Sequence, residues 1–311
     1  MKRNWLSYMC MAALLSGALT SCNESSFLNL SDPNHFTESN FWKDKADAES
    51  ALAAAYSPIK GAMYGYFGAF DGWLNLNGRG DDIFTIKGEE VPMWNIANFL
   101  NSPSTGNDPY GPLYSGIQRA NIVLRYIDQV PASGITEEDR SMIKGEALFL
   151  RGYQYFLLVN NYKEVPLRLI PSNEDETNKG PASEAALWTQ VEEDLGNAIK
   201  CNLPVERTTA KERVTKGAAI AMLGKVYATQ HRYPEAKQLL GTLLKAPYSY
   251  ELIDNFGKNF TNEDEFNKES VYEIAYSPDG EYSWSNESGI CLGCYIPQFT
   301  GPVKSGGWAK L

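Results

Sequence analysis

Residues 218–248 read AAIAMLGKVYATQHRYPEAKQLLGTLLKAPY. Leu223, Gly224 and Tyr227 fall at helical spacing ahead of a turn that contains His231. Ala236 supplies a small residue that lets a second helix approach the first closely. Leu240 supplies a large apolar one, and Pro247 closes the stretch. The spacing predicts two antiparallel helices. A pair of this kind leaves an apolar face that must be covered by a neighbouring pair, so more helices of the same sort are expected nearby.

The pattern fits the tetratricopeptide repeat, a motif of about 34 residues that places Leu-Gly, Tyr, Ala, a large apolar residue and Pro along two helices. Other segments carry the same helical signal. Residues 47–64, DAESALAAAYSPIKGAMY, put Ala48, Leu52, Ala55, Tyr56 and Ile59 on one face. In 112–131, Ile117, Ala120, Asn121, Leu124 and Ile127 recur at three and four. Thr136, followed by Asp139, makes a helix start close to a capping box. The helix it opens runs into EALFLRGYQYFLLVNNYKEVP (146–166), apolar or aromatic at almost every position. That composition predicts burial on most sides, with tyrosines serving packing, and Asn160, Asn161, Tyr162 and Pro166 ending the helix. Residues 183–204 read as a further amphipathic helix stopped by Pro204. Between them, 65–111 carries no sustained helical period and reads as a long loop, of the kind that often holds function. SVYEIAY (270–276) is strand-like at Val271, Ile274 and Ala275, and the rest to Leu311 is loop. The fold class is therefore mainly α: a solenoid core of tetratricopeptide-like helix pairs, long irregular ligand-binding loops and a few short strands. The chain stops without a closing helix, which suggests a fragment of a longer protein.

With 43% hydrophobic and 21% charged residues, the 311-residue chain can bury a sizeable core. Its net charge of −10, with no Lys/Arg cluster, argues against nucleic acid, whose phosphates require such clusters. Two histidines, His35 and His231, are too few for a zinc site built on Cys291-Leu-Gly-Cys294. That pair reads as a local disulfide or two loop thiols. The two histidines are also poorly placed for a Ser-His-Asp set, and Gly78-Arg79-Gly80 is too short for a phosphate loop. Adjacent acids such as Asp81-Asp82 or Glu89-Glu90 make a poor glycosidase pair, because neighbours in an extended chain point to opposite sides. No catalytic residue, metal or cofactor is expected.

The N-terminus, MKRNWLSYMCMAALLSGALTSC, has a basic start and an apolar run that ends in small or hydroxyl residues before Cys22. It is too short for a transmembrane span and reads as a secretory signal. Its Leu19-Thr20-Ser21-Cys22 ending resembles a bacterial lipobox, which implies cleavage before Cys22 and a lipid on its thiol. The expected organisation is a signal peptide over 1–21, a lipidated Cys22 and tether over 22–45, a helical domain over 46–250, and the start of a loop-rich C-terminal part over 251–311.

Taken in order, the lipobox, SFLNLSDP (26–33), FWKDKADAESALAAAY (41–56), GIQRANIVLRYID (116–128), residues 146–167, LWTQVEEDLGNAI (187–199), RVTKGAAIAMLGKVYAT (213–229) and VYEIAY (271–276) resemble the RagB/SusD family of Bacteroidetes outer-membrane lipoproteins. The resemblance covers essentially the whole chain, and family members are longer. It implies a non-catalytic, surface-exposed glycan-binding protein, anchored to the outer membrane by lipid. Such a protein lids a SusC-like TonB-dependent transporter and passes oligosaccharides to it. Two alternatives stay open: a lipid-anchored scaffold that binds protein partners only, and uptake of peptides in place of glycans.

A sugar site needs aromatic faces together with carboxylate, amide and guanidinium partners for hydroxyls. The stretch DGWLNLNGRGDDIFTIKGEEVPMWNIANFLN (71–101) supplies all of these. Relatives of known ligand use an Arg, a Trp about fifteen residues on and an Asn just after, in this loop. Arg79, Trp94 and Asn98 match that spacing approximately. Asp71, Trp73, Asp81 and Asp82 are secondary candidates, and Tyr282, Trp284, Tyr295 and Trp308 offer further aromatics.

Overall fold

The computed structural model describes residues 41–60, 77–80, 91–100 (backbone alone to 93), 109–172 and 178–276. Cys22, Asp71, Trp73, Asp81, Asp82, Tyr282, Trp284, Cys291, Cys294, Tyr295 and Trp308 lie outside the described residues, as does the signal segment. The chain divides into two units, residues 1–42 and residues 43–311. In the first, the rings of Phe41 and Trp42 meet edge to face with centroids 5.2 Å apart.

The second unit holds seven α-helices among the described residues: α1 (Lys45–Lys60), α2 (Val91–Ala97), α3 (Tyr110–Tyr126), α4 (Glu137–Tyr162), α5 (Glu184–Lys200), α6 (Lys216–Thr229) and α7 (Tyr233–Leu240). They stack in sequence order, α1 on α3, α3 on α4, α4 on α5, α5 on α6 and α6 on α7, with α1 also touching α4. No helix among the described residues is long and apolar enough to cross a membrane.

α1 buries Ala48, Leu52, Ala55 and Ile59 as its period predicts. α2 departs from the expectation of unbroken loop over 65–111. Seven residues make fewer than two turns, too few for a 3.6-residue period to register. Pro92 sits in the first turn of α2, where its missing N–H is not needed. α2 ends with Phe99 in the left-handed region (φ 56°), and the Leu100 N–H reaches back to the Asn95 carbonyl at 2.7 Å. Val271–Tyr276 forms no strand ladder among the described residues.

α4 is the hub, buried from Arg140 through Val159 over most of its surface, because α1, α3 and α5 all pack on it. Its contact with α3 is close. Gly116 leaves space for the fully buried Gln154: a Cβ at Gly116 would lie 1.6 Å from Gln154 Oε1. Arg140 donates to the carbonyls of Ile127 and Val130, which satisfies the chain end leaving α3. In the repeat pair, Gly224 of α6 receives Leu240 of α7: a Cβ at Gly224 would lie 2.4 Å from Leu240 Cδ2. Ala236 is buried at the same seam, and His231 occupies the intervening turn at φ 60°.

α4 begins as its sequence predicts. Thr136 Oγ1 accepts from the Asp139 N–H at 3.1 Å and donates to Asp139 Oδ2 at 2.9 Å. Asp139 Oδ1 in turn accepts from Lys45 Nζ of α1 at 2.9 Å. The Lys45 hydrogen bond, opposed by burial and aided by the weaker effect of Thr136, holds the Asp139 carboxyl below its ordinary 3.8. A depressed folded value means that the stabilisation is complete above the ordinary value and is lost as pH falls through the folded one. Thr136→Ala is expected to destabilise by about 1 kcal/mol in urea at pH 7. The difference from the unsubstituted protein should shrink once Asp139 is protonated, below pH 3.8.

Candidate ligand-binding site

Residues 77–80 form a turn beside the end of α4, closed by the Gly80 N–H on the Asn77 carbonyl at 2.9 Å. Arg79 is exposed, and its Nη1 donates to Asn161 Oδ1 at 3.1 Å. Asn161 is itself oriented, since its Nδ2 donates to the Leu157 carbonyl at 2.8 Å and so turns Oδ1 outward to the arginine. The remaining guanidinium donors of Arg79, on Nε and Nη2, are available to a ligand. Trp94 lies in α2, and Asn98 follows its last residue, its N–H reaching back to the Trp94 carbonyl at 3.1 Å. Asn98 Nδ2 donates to the Trp94 carbonyl at 2.7 Å, leaving the exposed Oδ1 as an acceptor beside a half-buried indole. Arg79 and Asn98 do not touch: the first is tied to α4 and the second to α2.

Aromatic side chains line the neighbouring helix ends. Tyr162, one residue past Asn161, meets Tyr110 edge-on at 5.3 Å, and Tyr110 lies 4.7 Å from Tyr114. Tyr114 Oη donates to the Pro166 carbonyl. Burial, then the Tyr110 hydroxyl, pushes the Tyr114 phenol well above its ordinary 10.0, so it stays a donor.

Behind this surface, the chain leaving α4 is fixed by side chains. Lys163 turns it at φ 65°. Tyr155, fully buried, donates to the Arg168 carbonyl at 2.8 Å and accepts the Arg168 N–H at 2.6 Å. Asn121 Nδ2 reaches the carbonyls of Arg168 and Ile170 at 3.0 and 3.1 Å. Asn121 is held by Arg151 Nη1 at 2.9 Å, and Arg151 forms a two-bond pair with Asp194 of α5 at 2.8 and 2.7 Å. The contacts of Asn161, Arg151 and Asp194 have no mark in the sequence. A lone Asn near a helix end reads as a stop signal, and charged residues at single positions in an apolar run carry no mark of the partner that neutralises them.

Chemically, the described residues offer a guanidinium positioned by Asn161 and, separately, an amide acceptor on the turn that carries Trp94. No group of three or more His, Cys, Asp or Glu among the described residues could hold a metal ion.

A SusD-like family model, described as starch-binding associating with outer membrane, matches residues 84–228. A laminarin-binding SusD-like protein of known structure is 30% identical, with a TM-score of 0.76 over 85% of this chain and 58% of its own. The chain is thus similar to SusD-like proteins in sequence and in fold. A second solved structure, a SusD superfamily protein from Bacteroides vulgatus, is also 30% identical, with a TM-score of 0.69 over 76% of this chain and 50% of that one. A SusD-like protein of Formosa agariphila is 25% identical over 291 residues, 88% of this chain and 54% of the relative. The chain spans about half the length of the relatives it matches. The solved relatives share its helical fold, and within the α6–α7 pair Leu240 packs against Gly224 with Ala236 buried.

Proposed function

We propose that this SusD-like chain captures oligosaccharides at the outer-membrane surface, held there by a lipid on Cys22, and passes them to a SusC-like TonB-dependent transporter. The segment 1–21 acts as the signal, 22–45 as the tether, 46–250 as the helical scaffold and 251–311 as the start of the remaining loop-rich part. Arg79, Trp94 and Asn98 form the part of the sugar site carried by the described residues. Asp71, Trp73, Asp81, Asp82, Tyr282, Trp284, Tyr295 and Trp308 extend it. The observation that carries this reading is the Arg79–Asn161 hydrogen bond at 3.1 Å, which presents a pre-set guanidinium on the rigid end of α4. A planar donor fork held in place suits vicinal hydroxyls, and holding it beforehand lowers the entropic penalty of binding. The laminarin-binding relative and the family description support a glucan as cargo.

The test is calorimetric titration with laminarihexaose, maltoheptaose and a short neutral peptide. Trp94→Ala is expected to weaken the oligosaccharide that binds by about tenfold, the equivalent of roughly 1.4 kcal/mol for a lost stacking face. If neither oligosaccharide binds, or if binding survives Trp94→Ala unchanged, the reading fails. Binding of the peptide alone would move the cargo to peptides.

A further inference from the structure

Away from this site, α5 and the α6–α7 turn enclose an open groove of about 900 Å³. Along α5 it is lined by Glu184, Trp188, Thr189, Glu192 and Glu193, and across from them by Tyr227, Gln230 and Arg232. The lining carries three carboxylates against one guanidinium. That guanidinium is already fully matched. Arg232 lies over the Tyr227 ring at 4.4 Å, and its Nη1 donates to both oxygens of Glu192 at 2.8 and 2.9 Å. Its Nε donates to Glu235 at 3.0 Å. One end of the groove therefore holds a cation between an aromatic face and two carboxylates, built from the chain itself.

The other end repeats the aromatic face and the carboxylates, but its cation, Lys163, is held on Glu184, and among the described residues no cation reaches Glu193. Trp188 lies one turn from both Glu184 and Glu192, and its indole N–H is fixed on Glu184 Oε1 at 3.2 Å. The same oxygen takes Lys163 Nζ at 3.0 Å from the rim. Glu193 is exposed and has no hydrogen-bond or ion-pair partner among the described residues. We propose that this groove docks an extended segment of a partner protein and seats a lysine or arginine of that segment on Trp188 beside Glu193.

Charge complementarity selects this occupant. A cation over an indole gains from the ring quadrupole and from adjacent carboxylates. A saccharide is less well served: one face of Tyr227 is covered by Arg232, and the indole donor of Trp188 is engaged. From Glu184 to Glu193 the helix rises about 13 Å, the length of about four residues of extended chain. The proposal does not rest on the glycan reading, because its groove shares no residue with the Arg79–Trp94 surface.

The experiment uses the full chain and a fluorescein-labelled peptide, acetyl-Gly-Lys-Gly-Arg-Gly-amide, read by anisotropy at low and at physiological salt. The peptide is expected to bind, and Glu193→Lys to weaken it at least about fivefold, consistent with the upper end for an exposed ion pair made repulsive. Glu138→Lys makes the same charge change on an exposed residue at the start of α4 and is expected to alter binding less than twofold. Trp94→Ala should leave the peptide unaffected, which separates this result from the fate of the sugar site. Equal weakening by Glu193→Lys and Glu138→Lys would reduce the effect to the overall negative charge and overturn the proposal. Absence of peptide binding would also overturn it. So would laminarihexaose binding that is lost in Glu193→Lys, which would make the groove a sugar site.

Discussion

Glu146→Ala is expected to destabilise the protein by about 3–5 kcal/mol, read as a fall in urea midpoint at unchanged slope. Glu146 is 0% exposed in the middle of α4. Its Oε1 accepts from Arg207 Nη2 at 2.7 Å and Arg213 Nη2 at 2.8 Å. Its Oε2 accepts from Arg213 Nε at 3.0 Å and Tyr56 Oη at 2.6 Å. Tyr56 in turn accepts the Val214 N–H at 3.0 Å. One carboxylate thus joins α1, α4 and the segment leading into α6. Burial followed by the Glu146 charge pushes the Tyr56 phenol well above its ordinary 10.0, so it remains a donor. Burial acts to lower the Arg213 pKa, but the Glu146 hydrogen bond and charge reverse this and raise it above its ordinary value. Truncating Glu146 leaves two guanidinium groups, 10% and 21% exposed, without their shared counter-charge. Glu146→Gln keeps the shape and should fall between the two. A loss below about 1 kcal/mol for Glu146→Ala would mean that the arginines are solvated as surface groups are, and that the buried-pair argument is wrong.

The second large effect is expected at Asp194. Asp194→Ala removes the partner of Arg151, whose side chain is 10% exposed, and should also destabilise by about 3–5 kcal/mol. The loss has a local signature. Gln190 donates to the same carboxylate at 3.0 Å, and Arg151 links it to Asn121 and to the Leu169 carbonyl. Amide exchange over residues 165–170 should therefore rise more than over α6, which stands apart from this network. An internal control is the exposed Lys144–Asp128 pair at 2.9 Å, 40% and 57% exposed. Its removal by Asp128→Ala should change stability by no more than about 1 kcal/mol. Equal effects at Asp194 and Asp128 would show that burial is not what gives the inner pair its weight.

These two networks mark where sequence reading stops. Ala48, Leu52, Ala55 and Ile59 were legible as one face because helical geometry imposes the period directly on the chain. Thr136 and Asp139 were legible because a cap satisfies neighbours only three residues away. Glu146 bonds across 61 and 67 residues to Arg207 and Arg213, and across 90 to Tyr56. Nothing in the local sequence connects them. Tyr155 shows the intermediate case. Its burial followed from the apolar run around it, but not its two hydrogen bonds to Arg168.

The candidate site divides the same way. Composition located Arg79, Trp94 and Asn98 in one loop, and within it α2 carries Trp94 and is followed directly by Asn98, which bonds back to the Trp94 carbonyl. Asn161 as the support of Arg79 required the return of the chain across 82 residues. The amino-acid sequence by itself determined the long helices, their order and the repeat seam at Gly224 and Leu240, because periodicity, caps and small-residue contacts act over a few turns of chain. The tertiary structure alone decided which buried charges neutralise one another and how Arg79 is aimed. It also decided that Trp188 and Arg232 face a common groove. Those pairings depend on where α4 and α5 carry their side chains in space, and electrostatic neutralisation in a low-dielectric core is set by distance in space, not along the chain.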